Sequence, residues 1–242
     1  MYTELILRPS GLANQAIYPD VARKFFAAAL DGVEVDPALF ARDAQGRTLQ
    51  GVIGHVKEGT GFGRAPRIVT DAGSGFLRLY GIGQEGSDLL IRHLGPIYSA
   101  ISRKYGPTAQ ELRQGECKID FTGYMVPHRI RLLVVNKRPH FRAQEINGNE
   151  QAVGLIRRQI VAGLVSQAEL VSCAQKLPRD EEIDVLEATP YPIPIREGIF
   201  ASGYKNVVFA MPSRLSGPWL AGHLRSRAYG FMRAQIPGGG AR

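Results

Sequence analysis

The chain has 242 residues, with 30 Lys plus Arg against 22 Asp plus Glu, a formal net charge of +8. Hydrophobic residues make up 44% and charged residues 21%, which can bury a core and excludes wholesale disorder. Apolar runs such as Leu132 to Val135 are far shorter than a bilayer span and no charged-then-apolar leader opens the chain, so a soluble, cytoplasmic protein with an acidic partner and no membrane is expected.

Residues 2–9 alternate as a strand that Pro9-Ser10-Gly11 ends. Pro19 and Asp20 suit a first helical turn, and Val21, Ala22, Phe25, Phe26, Ala29 and Leu30 recur at helical spacing, with Arg23 and Lys24 on the opposite face. Strand-like runs follow at 47–56 and 76–82, separated by Gly59-Thr-Gly-Phe-Gly63. Residues 86–104 are amphipathic and end on Arg103-Lys104, where cations suit a helix C-terminus, before Gly106-Pro107 stops the helix. Lys118 to Tyr124 is read as the closing strand of a βαββαβ unit spanning 1–125.

The order then begins again over 126–242, with a strand at 129–136, a helix over 151–174, strands at 183–186 and 206–211, and a last strand at 228–236. A Gly-punctuated stretch, Ser213 to Arg227, stands where the second helix of such a unit belongs. The fold class expected is α+β: tandem ferredoxin-like (RRM-like) units, the second degenerate, with a C-terminal Gly-rich loop.

Metal chemistry has no support in the spacing. The five histidines, at 55, 93, 128, 140 and 223, never stand at i, i+4 with a carboxylate, and Cys117 and Cys173 form no CxxC pair. No metal and no cofactor are therefore expected. The 59–63 glycines lack the Walker lysine and a following helix, and read as a hairpin tip in preference to a phosphate cradle.

The positive charge is more specific. Arginine outnumbers lysine 23 to 7, and the guanidinium forks onto phosphate oxygens and stacks on bases. Candidate RNA-binding groups are Arg103, Lys104 and Arg113 around the Gly106-Pro107 break, Arg129, Arg131 and Arg138 along a strand and its exit, and Arg157 and Arg158 on the second unit's helix. Near the C-terminus Arg214, Trp219, His223, Arg225, Arg227 and Tyr229 combine cations with aromatic faces for unpaired bases. A glycine tail frays unless something holds it, and Arg242 at the end of Pro237-Gly-Gly-Gly-Ala-Arg242 would be the anchor on RNA or in a cleft.

The element order and the stretch Gly217-Pro-Trp-Leu-Ala-Gly222-His-Leu-Arg-Ser-Arg-Ala-Tyr-Gly230-Phe-Met resemble the CRISPR repeat-processing endoribonucleases, and the shrunken second unit resembles the members found with type IV CRISPR systems. The resemblance implies metal-independent cleavage of precursor CRISPR RNA within each repeat, beside a hairpin. The upstream 2′-hydroxyl would attack the scissile phosphate, leaving a 2′,3′-cyclic phosphate and a 5′-hydroxyl. It also implies retention of the crRNA hairpin and entry into a CRISPR ribonucleoprotein with other subunits.

Many members of that family carry a histidine on the first helix; this chain has Tyr18, Arg23 and Lys24 there. Arginine holds its proton too tightly to act as a base but stabilises negative charge well. Arg23 is thus the expected phosphate and transition-state clamp, with Lys24 or Tyr18 assisting and Arg242 returning to the same cleft. Such a site predicts a rate that varies little between about pH 6 and about pH 9, whereas a bell-shaped profile would point to His223 or His55. Two other classes compete: a non-catalytic RNA-binding subunit of a CRISPR effector complex, and a small-molecule enzyme built on the 59–63 glycines.

Overall fold

The computed structural model describes residues 1–18, 21–36, 39, 65–136, 142–196 and 198–235. The expected strand at 47–56, the glycines at 59–63, His55, His140, Arg138 and Arg242 lie outside the described residues. The chain forms two units: Met1–Glu116 together with Ser226–Ala228, and Cys117–Arg225 together with the chain from Tyr229 onward. The element order alone sets the break at 125/126.

The first unit runs β1 (Tyr2–Pro9), α1 (Ala22–Ala29), β2 (Ile68–Gly73), β3 (Phe76–Ile82), α2 (Gly83–Arg92), α3 (Leu94–Tyr105) and β4 (Thr108–Gly115). Its sheet has the order β2-β3-β1-β4 with every neighbouring pair antiparallel, so each helical crossover passes over an intervening strand. Alternation along β1 and β3 turns Leu5, Leu7, Leu77 and Leu79 into one core, where they meet Phe26 and Ala29 of α1, Leu90 of α2 and Ile97 and Ile101 of α3.

Two local expectations are corrected by the structure. Lys118 to Tyr124 does not close this sheet; β4 does, pairing with β1 from Pro9↔Thr108 to Tyr2↔Gly115. β4 escapes a hydrophobicity reading because it is an edge strand whose residues are largely exposed. The amphipathic run is two helices, broken at His93, with Gly95-Pro96 in the first turn of α3, where a missing N–H is tolerated. Gly106, at φ +87, then ends α3 with its N–H on Ser102 O.

The second unit runs β5 (Lys118–Asn136), α4 (Glu150–Val171), β6 (Asp184–Arg196), β7 (Ile199–Ser216), β8 (Trp219–Leu220) and β9 (Phe231–Ala234), in the sheet order β6-β7-β5-β9-β8. With β5, β6, β7 and β9 set against β1 to β4, the first four strands repeat the order of the other sheet. No α-helix links β7 to β9; β8, a glycine loop and a single 3-10 turn at Arg225–Arg227 stand in its place.

β6 and β7 are longer than expected. Pro190, Pro192 and Pro194 look like strand breakers in sequence, but β6 is an edge strand, where prolines on alternate positions can face away from the ladder. β5 and β7 fall out of register between Phe121 and Val126, where four residues of β5 oppose only Pro212, which has no N–H to donate. α4 begins at Asn149, whose side chain accepts from Ala152 N at 3.0 Å, and ends at Ser172 in the left-handed region.

Candidate functional site

The closing loop of the second unit is built onto α4. The apolar stripe Ile156, Ile160, Leu164 and Ala168 is interrupted by Gln167, which is fully buried. Its side-chain amide donates to Pro218 O and its carbonyl accepts from Leu220 N at 3.2 Å, so one glutamine supplies the hydrogen bonds that a neighbouring strand would supply. One turn earlier Gly163 lies against the Leu220 carbonyl, leaving no room for a Cβ. On the other side His223 N donates to Val134 O, Gly230 N to Leu132 O and Ala221 N to Gly230 O. Gly230, at φ +81, packs directly on the Ala221 carbonyl.

Within this loop Arg225 donates through Nη1 to Ser166 Oγ at 2.6 Å, and burial lowers its pKa to about 10, which leaves it charged at neutral pH. Trp219 is fully buried with its indole N–H on Ser216 O at 2.9 Å; Tyr229 is buried with its hydroxyl on Pro194 O at 3.0 Å. Both were expected to offer faces for unpaired bases, and both are core residues instead. Among the described residues the most exposed rings are Tyr18, Phe121 and Tyr124, each more than 60% exposed.

Three residues of the loop, Ser226–Ala228, belong to the first unit. There Arg23, in the first turn of α1 and partly buried, donates through Nη2 to the Ser226 carbonyl at 3.4 Å. The same carbonyl accepts from Thr70 Oγ1 of β2 at 3.2 Å. Helix α1 and the segment that carries Arg227 thus meet at a main-chain oxygen 203 positions away in sequence. Lys24 and Tyr18 are exposed beside this point in the chain.

The remaining candidates are distributed as follows. Arg103 and Lys104 are exposed in the last turn of α3. Arg113 is exposed on β4 but bound by Glu111 at 2.5 Å and Glu4 at 3.8 Å. Arg157 donates to Ile183 O at 2.7 Å, a structural tie between α4 and the entrance to β6, whereas Arg158 is exposed. Arg129, Arg131 and Arg214 are exposed on β5 and β7, His223 and Arg227 partly buried. Gln167, Ser166, Gly163 and Thr70 were missed; a glutamine on the apolar stripe of α4 was the one signal available.

His128 cannot serve as a general base. It is fully buried, stacked on Phe209 at 5.3 Å, with Nδ1 on Val126 O at 2.8 Å, and burial lowers its pKa to about 4. Burial also pushes the Cys117 thiol up to about 11, away from nucleophilic chemistry. Among the described residues no cluster of three His, Cys, Asp or Glu could hold a metal ion, and no helix is long and apolar enough to cross a membrane.

Comparison with solved structures places the fold. The chain is similar to Csf5, a CRISPR-Cas type IV Cas6 crRNA endonuclease, with a TM-score of 0.65 and 20% identity over 98% of this chain and 100% of that one. It is similar to Cas6b at 0.53 and 11% over 97% and 100%, and to a Cas6 product complex at 0.51 and 16% over 98% and 100%. No curated protein matches the chain by sequence. The family model described as type IV CRISPR-associated endonuclease Csf5 matches residues 5–237, nearly the whole chain, and the chain belongs to that family.

Proposed function

We propose that this protein cleaves precursor CRISPR RNA inside the repeat, beside a hairpin, without a metal ion, and that Arg23 is the residue that stabilises the reacting phosphate. The observation that carries this reading is the hydrogen bond from Arg23 to Ser226, which ties the first helix to the segment holding Arg227. One of the five N–H donors of the guanidinium fixes its direction on the main chain, and the planar fork suits the oxygens of a phosphodiester.

In the reaction the 2′-oxygen of the upstream nucleotide bonds to phosphorus as the P–O5′ bond breaks. The 2′-hydroxyl loses a proton, O5′ gains one, and the products end in a 2′,3′-cyclic phosphate and a 5′-hydroxyl. Negative charge builds on the non-bridging oxygens in the transition state, where a fixed cation contributes most. In this reading Lys24 and Tyr18 position the substrate or assist a proton transfer. The surface arginines of β5, β7 and α3 track the phosphate backbone, and Phe121 and Tyr124 take the stacking role expected of Trp219 and Tyr229. The hairpin product stays bound and carries the protein into a CRISPR ribonucleoprotein.

The test is cleavage of repeat RNA in EDTA by three proteins. Arg23→Ala is expected to lower the single-turnover rate by about 10²–10³-fold, the usual cost of removing one transition-state donor, with little change in RNA affinity. Thr70→Val removes the other donor to Ser226 O and leaves the cation in place; its rate should stay within about threefold of the wild type. Equal losses in both variants would mean that loop position, not charge on Arg23, governs the rate. Intact RNA bound tightly by the wild type would identify a binding subunit in place of a nuclease.

A further inference from the structure

One face of the second sheet sets two like charges opposite each other. In the β5–β9 register Arg129 lies directly opposite Arg233, and both are exposed. Directly opposed residues of an antiparallel pair project from the same face with Cβ atoms about 5 Å apart, so the stems of two cationic side chains leave the sheet side by side. Like charges in this position are destabilising. Among the described residues neither arginine is ion-paired.

The surroundings add charge of the same sign. Arg131 follows Arg129 by two residues and shares its face. The acidic residue in line with the pair is Glu187 of β6, opposite Val208, which in turn is opposite Arg129; that places it two strands away, about 10 Å. Arg129 is also held in one direction: Nη2 donates to Asn206 Oδ1 at 2.8 Å, and Asn206 occupies the left-handed region at φ 53, which asparagine tolerates better than most residues. The Arg233 guanidinium sits 6.0 Å from the Phe231 ring centroid. Each guanidinium has one weak neutral partner and keeps further N–H donors for an anion that would draw the two side chains together.

We infer that Arg129 and Arg233 form a fork that binds one phosphodiester group of the RNA backbone. A phosphate bridging the pair turns the repulsion into attraction and matches the planar donor geometry of both side chains. The inference rests on RNA being the partner but not on the chain cleaving it, so its test uses binding alone.

Fluorescence anisotropy would be read with a labelled oligo(U) single strand and with the repeat hairpin, across a salt series, for the wild type, Arg233→Gln, Arg129→Gln and Arg233→Glu. Each glutamine variant should lower the slope of log K against log salt by about 0.7–1, one lost phosphate contact. Arg233→Glu should bind at least tenfold more weakly, yet unfold about 1–3 °C higher at low salt, because it replaces a like-charge pair with an opposite-charge one. Opposite signs for affinity and stability are the signature of a pair kept for a ligand. Unchanged slopes with unchanged affinity overturn the fork and leave the face to an acidic protein surface or to solvent. A wild type that binds neither RNA overturns the fork together with the proposed function; loss of cleavage alone, with the slopes as expected, overturns only the latter.

Discussion

Gln167 offers a direct test of how the closing loop is held. Replacing it with leucine removes a donor and an acceptor while nearly conserving volume, so the Pro218 carbonyl and the Leu220 N–H stay buried without partners. Each unsatisfied buried group costs about 1–3 kcal/mol, giving about 2–6 kcal/mol for Gln167→Leu. With a urea m value of about 2 kcal/mol/M the unfolding midpoint should fall by about 1–3 M. The assay is intrinsic fluorescence, and it is local by construction: Trp219 is the one tryptophan in the chain and lies between the two residues that Gln167 binds. Gln167→Glu sharpens the argument. Its carboxylate still accepts from Leu220 N but repels the Pro218 carbonyl, whereas the protonated acid restores both bonds. The deficit of this variant relative to the wild type at the same pH should therefore shrink as pH falls. A midpoint for Gln167→Leu within about 0.3 M of the wild type would refute the assignment of the loop to this clamp.

Two further outcomes follow from buried groups in the same unit. His128 is neutral in the folded state, with its pKa lowered to about 4, and takes up a proton on unfolding near 6.5, so its share of stability is complete above that value and drains away as pH falls toward 4. The wild type should lose about 2 kcal/mol between pH 7 and pH 5 from this group, and His128→Phe, which keeps the stack on Phe209, should lose that component of the pH dependence in urea titrations. Gly230→Ala places a methyl group against the Ala221 carbonyl at a backbone φ of +81; it should unfold well below the wild type in a thermal scan, by more than the effect of Gly123→Ala, where φ is +70 but nothing lies within 4 Å.

Much of the fold could be read from local pattern. The 3.6-residue recurrence of Ile156, Ile160 and Leu164 defines α4, the alternation of residues 2–9 defines β1, and the Gly-punctuated segment where a helix was due marks the second unit as degenerate. These features depend on neighbours within a few positions, and they carry the family resemblance with them. The excess of arginine over lysine likewise needs no coordinates.

Tertiary structure alone decided which side chains could act. Trp219 and Tyr229 stand among cations in sequence, yet the fold turns them into the core, while Phe121 and Tyr124 are exposed at the place where β5 and β7 fall out of register. β4 is nearly invisible as a strand because an edge needs little apolar surface, and β1 supplies the pairing that its composition does not advertise. The meeting of Arg23 with Ser226 and the opposition of Arg129 to Arg233 are contacts of strand register and chain return. No periodicity along the chain encodes such contacts, because their energy depends on distances between segments that only the folded backbone brings together.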